Sequence, residues 1–126
     1  MHYDWTAIPD ADVPRAADPA YQHLLDTYAS ESNKTAAMWQ AVPDHLLDFR
    51  PHPKVNTVRA ILAHQLLSER RFFAQFVGTV EPAPDQLLPP GDAPPVTAYL
   101  DKYVWLCRRR LPQFAAGTTA WWLEPR

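Results

Sequence analysis

A chain of 126 residues that is 47% hydrophobic and 21% charged has the size and make-up of one soluble globular domain, not of a disordered segment. Its formal net charge of -2 supplies no basic field for gathering phosphates, which argues against nucleic acid as a partner. A single cysteine, Cys107, excludes an intrachain disulfide and suits a reducing compartment.

The opening stretch MHYDWTAIPDADVPR has neither the positive start nor the apolar run of a secretory signal. No apolar run in the chain approaches the roughly 18 residues of a spanning helix. The expectation is a cytoplasmic protein without a membrane partner, a single domain over residues 1–126 with an extended N-terminal segment over 1–17. The 14 prolines leave three long blocks free, 20–42, 54–81 and 96–111. Proline removes a backbone donor and clashes with the preceding turn, so uninterrupted helices belong in such blocks.

In the first block Tyr21, Leu24, Leu25, Tyr28, Ser32, Thr35, Trp39 and Val42 recur in steps of three and four, one stripe down a long helix. Asp18 before Pro19 is a start signal, an N-cap acceptor followed by a residue whose missing donor costs nothing at the first helical position. Pro43 ends it. Ser32 and Thr35 put small polar groups at mid-helix.

The second block predicts a helix capped by Thr57 or Asn56 and stopped at Gly78. Turning each residue by about 100° gathers Val58, Ile61, Leu62, Leu66, Phe72, Phe73 and Phe76 on one side. Glu69 falls inside that stripe. A buried carboxylate must be paired, solvated in a pocket or held neutral, and one of Arg108 to Arg110 is the expected partner. His64 falls off the stripe, near Ser68, Arg71 and Gln75. It reads as a flanking residue, a hydrogen-bonded core residue or a ligand, and the pattern leaves all three open.

Between the second and third blocks, EPAPDQLLPPGDAPP reads as a stiff connection with few features of its own. The third block again carries one stripe, Leu100, Tyr103, Val104, Cys107, Leu111 and Phe114. Thr97 is the expected cap, Gly117 the stop, and Pro112 the place for a kink or an early end. The tail, 118–126, is aromatic and β-prone but too short for an element of its own. Cys107 has no neighbouring base and reads as a small core residue. Trp39, Phe72, Phe73, Phe76, Tyr103 and Trp105 read as core, with an aromatic-lined pocket as the other reading. Three helices with one apolar stripe each predict an all-α, up-down helical bundle.

The run SNKTAAMWQAVPDHLLDFRPHPKVNTVRAILAHQLLSERRFF resembles the DinB-like (DinB/YfiT-like) family of metal-binding four-helix bundles, most specifically over 42–76. The resemblance implies an up-down-down-up bundle, frequent homodimers, and a divalent metal such as zinc or nickel held by three histidines. His64 stands at the position of one of them. It also implies metal-dependent transferase or isomerase chemistry on a small-molecule thiol, with Glu69 as a supporting or acid/base residue and Ser68 and Gln75 lining the pocket. The usual H-x-x-x-H of the last helix has no counterpart among His2, His23, His45 and His52. One histidine cannot hold such an ion, which takes three or four protein ligands. The expectation is therefore an incomplete four-helix bundle, a truncation or part of a longer product, whose open groove is covered in a homodimer. The alternative function is a non-catalytic dimeric scaffold or small-ligand binding module.

Overall fold

The computed structural model describes residues 5–125, and every regular element among them is helical. The Asp18 carboxylate accepts from the Ala20 amide at 3.0 Å, and a 3₁₀ turn over Pro19–Tyr21 leads into α1, Gln22–Gln40. Thr57 caps α2, Val58–Phe72, by accepting from the Ala60 amide at 3.1 Å. A π-helical turn, Phe73–Val77, prolongs α2 until Gly78, whose φ of 88° closes the helix in the left-handed region. A short α3, Pro84–Leu87, interrupts the connection. It is followed by α4, Val96–Ala115, and α5, Thr119–Leu123.

Side-chain pairs fix the topology. Along α1 the sequence rises from Tyr28 to Trp39 while the partners on α4 fall from Phe114 to Tyr103, so these two helices are antiparallel. Between α2 and α4 both numbers rise together, Arg59 to Tyr99, Glu69 to Arg110 and Phe73 to Phe114, so this pair is parallel. Two parallel neighbours cannot be joined by a tight turn. The chain over 78–95 must travel back along the bundle, which is why a long proline-rich segment sits there.

That segment is not featureless, as its composition suggests. Leu87 is fully buried, the Gln113 amide pairs with both backbone groups of Val80, and Lys102 donates to the Gln86 carbonyl at 2.7 Å. Arg70 reaches the Pro82 carbonyl and Arg59 the Pro94 carbonyl. Side chains on α2 and α4 thus satisfy backbone groups that a proline-rich chain cannot pair with itself.

Three local expectations fail. Thr97 does not cap α4, which starts one residue earlier; Asp44 does so from the α1–α2 connection, accepting from the Val96 amide at 2.8 Å. Of the kink or early end expected at Pro112, the early end does not occur, since α4 runs through to Ala115. The tail forms α5, because Thr118 accepts from the Trp121 amide and Trp121 and Trp122 pack on Phe114. Trp122 also stacks on Tyr21 at 5.2 Å. Gly117 makes that return possible, since a Cβ there would stand 2.8 Å from Trp122 Nε1.

The core lies between α1 and α4 and holds Leu25, Ala29, Trp39, Tyr103, Leu106, Cys107 and Leu111, joined by Leu62 and Leu66 of α2. The N-terminal segment straps across it. Asn33 clamps Ile8, accepting from its amide at 2.8 Å and donating to its carbonyl at 2.9 Å, and Ile8 is buried.

Candidate functional site

Only Leu62 and Leu66 of the second-helix stripe are buried. Ile61, Phe72 and Phe76 remain 48%, 55% and 58% exposed. The aromatic set divides as well: Trp39 and Tyr103 are core, Phe73 is half-buried, and Phe72, Phe76 and Trp105 are exposed. A helical wheel registers an apolar arc but not whether a neighbour covers it. Here α1 and α4 cover one edge of the arc and leave the other open.

That open edge forms a groove of about 330 Å³ lined by Ile61, His64, Gln65, Ser68, Glu69 and Phe72. A second hollow of about 290 Å³ continues it past Ser68 and Phe72 to Arg71, Gln75 and Phe76. The structure therefore brings His64, Ser68 and Gln75 onto one exposed face, with Glu69 at its base.

Glu69 turns inward. Its Oε1 accepts from Arg110 Nη1 at 2.9 Å, while its Oε2 is buried without a hydrogen-bond partner. Arg110 is wholly buried on α4 and is the centre of a cluster that spans every layer of the bundle. Its Nη1 also donates to the Tyr28 hydroxyl of α1 at 3.0 Å. Its Nε and Nη2 both donate to Glu81 Oε1, at 3.0 and 2.5 Å, and its guanidinium lies 3.8 Å from the Phe73 ring centroid. Glu81 Oε2 accepts from the Thr79 hydroxyl at 3.0 Å, so both oxygens of that carboxylate are satisfied.

Burial raises the Glu69 carboxyl above the ordinary glutamate range, against the pull of Arg110. Burial lowers the Arg110 proton affinity, but the bonds to Glu81 and Tyr28 outweigh it and keep the guanidinium charged. Burial likewise pushes up Cys107, and the Tyr28 and Tyr103 hydroxyls, so all three stay neutral near pH 7. Cys107 is thus an inert core thiol, wholly buried in the interior with Ser32.

An arginine partner for Glu69 follows from the residue pattern; Glu81 and Thr79 do not. They lie outside any periodic stripe, and the one signal is a glutamate flanked by Val80 and Pro82 with no solvating neighbours. The two other arginines of the triplet are engaged elsewhere. Arg108 donates to Asp12 and to the Ala7 carbonyl, and Arg109 lies over the Trp105 ring.

The sequence profile of the DinB superfamily matches residues 8–125, nearly the whole chain. The chain belongs to the DinB superfamily. No curated protein and no solved structure was found to match it. Among its described residues no helix is long and apolar enough to cross a membrane.

A divalent metal, as the DinB-like resemblance implies, would need more donors than this face provides. Among the described residues no three of His, Cys, Asp and Glu come together, and Glu69, the carboxylate that shares the groove with His64, has one oxygen on Arg110. His23 starts α1 and His45 and His52 lie on the α1–α2 connection, away from His64 in the element order; His2 lies outside the described residues. The described residues of a single chain do not by themselves fit a zinc or nickel site.

Proposed function

We propose that this DinB superfamily chain is a non-catalytic binding module that acts as a homodimer, the open face of α2 being covered by a second copy. The observation that supports it is the exposed seam of Ile61, Ser68, Phe72 and Phe76 at helical spacing along α2. A seam of this kind fits another helix better than a flat surface. It is also self-complementary: two copies of α2 crossing antiparallel at Ser68 set Ile61 of one against Gln75 and Phe76 of the other. The small serine at the crossing lets the backbones approach. The single buried thiol fits the cytoplasm.

Sedimentation at micromolar concentration tests this. The wild type should run as a dimer and Phe72→Glu as a folded monomer; a compact wild-type monomer would end the proposal.

A second reading is favoured by one observation. His64, the histidine at the position of a family ligand, is exposed on this same face beside Ser68. A divalent-metal-dependent thiol transferase or isomerase would then draw its remaining ligands from a partner chain. Elemental analysis of wild type and His64→Ala distinguishes the two. Stoichiometric zinc or nickel that the variant loses supports the metal reading, and metal-free protein supports the module. In either case the metal-free His64→Ala chain, kept monomeric by dilution, should hold its stability within about 0.5 kcal/mol, because His64 is exposed in the single chain. A larger loss on thermal unfolding would show that the histidine packs.

A further inference from the structure

The buried cluster contains one guanidinium and two carboxylates, and the two carboxylates are not equivalent. Glu81 has a 1% exposed side chain, takes two donors from Arg110 on one oxygen and the Thr79 hydroxyl on the other. Glu69 has one oxygen on Arg110 and the other buried with nothing to accept from. Among the described residues no other positive group pairs with either carboxylate. Tyr28 faces the cluster from α1, Tyr103 and Cys107 face it from α4, and Glu81 comes from the connection; Arg70, next to Glu69 on α2, is spent on the Pro82 carbonyl. An excess negative charge at a largely buried site is unfavourable, and a carboxylate relieves that cost by keeping a proton.

We propose that this cluster is a proton-binding site in which Glu81 alone neutralises Arg110, while Glu69 is held as the neutral acid and releases its proton as pH rises, loosening α2 from α4. Glu69 sits at the base of the α2 groove, and Phe72, Phe73 and the π turn follow it directly. The proton therefore governs how firmly the C-terminal half of the open face is held. The inference rests on contacts inside the bundle and stands whether or not a second copy covers that face.

The direction follows from linkage. The folded state holds the Glu69 proton more tightly than the unfolded state does, as burial requires. The contribution is thus fully present below the unfolded glutamate range and is lost as pH rises through the folded midpoint. Glu69→Gln fixes the neutral form and keeps a carbonyl oxygen for Arg110.

The test combines a carbon-13 NMR titration of the glutamate carboxyls in the wild-type protein with urea unfolding of wild type, Glu69→Gln and Glu81→Gln between pH 5 and 8. One glutamate should titrate above the ordinary range, and that signal should be missing in Glu69→Gln. The folding equilibrium of Glu69→Gln should gain on the wild type with rising pH, by up to about tenfold per pH unit within the window. Glu81→Gln should fall below the wild type throughout. A Glu69 carboxyl that titrates in or below the ordinary range overturns the proposal, even if a variant fails to fold. So does a Glu69→Gln protein as unstable as Glu81→Gln.

Discussion

Replacing Arg110 with methionine should destabilise the fold by about 3–5 kcal/mol at neutral pH, or roughly 10–20 °C in Tm. Methionine keeps the apolar stem of the wholly buried side chain, so lost packing is the smaller part of the effect. The larger part is Glu81, left in the interior with no counter-charge and one remaining partner, Thr79. Three layers lose their common tie at once, since Arg110 joins α1 through Tyr28, α2 through Glu69 and the 78–95 connection through Glu81. The deficit should shrink in acid, where the stranded carboxylates take up protons. Adding Glu69→Gln and Glu81→Gln should recover much of the loss, because removing a whole buried ionic network is far less harmful than removing one partner. Urea unfolding at pH 7.5 and pH 5 separates these terms. An Arg110→Met protein with equal losses at both pH values would show that packing dominates.

The second large effect is a contrast within α2. Leu66→Ala should cost about 2–5 kcal/mol, since Leu66 has no exposed surface and its neighbours cannot fill the cavity. Ile61→Ala, five residues earlier and equally apolar, should change monomer stability by no more than about 0.5 kcal/mol, because nearly half of Ile61 already faces solvent. Chemical unfolding at concentrations low enough to keep the chain monomeric measures both. Similar losses for the two variants would mean that the open side of α2 is covered within the monomer.

This contrast also shows what the residue pattern carries and what it leaves out. Helix existence was legible at all three proline-free blocks, down to the Asp18–Pro19 start, the Thr57 cap and the Gly78 stop, because these signals are local. Which side of α2 is covered depends on helices far away in sequence, and nothing within residues 58–77 records it. The π turn adds to the difficulty: the Gly78 amide bonds to the Phe73 carbonyl five residues back, so a wheel drawn at 100° per residue drifts over Phe73 to Phe76. A partner for Glu69 could be expected from the cost of burying a carboxylate. Glu81 and Asp44 could not, because each acts on a residue tens of positions away, Arg110 and Val96, from a segment without periodicity. Of the candidate face, His64, Ser68 and Gln75 were legible as neighbours on one helix, whereas the cluster beneath Glu69 was legible only in part.

The parallel run of α2 beside α4 has a kinetic consequence. The main packing pair, α1 with α4, is separated by residues 41–95, so its contacts close a long loop before they return any burial. The parallel pair α2 and α4 cannot form a hairpin that collapses early, and the buried guanidinium gains its partners only after α4 has arrived. The expected folding transition state has α1 and α4 docked with α2 still loose, and folding slower than in a bundle of sequential hairpins. In φ-value terms Leu25 and Leu106 should score high and Leu66 low; the reverse order would mean that α2 docks first.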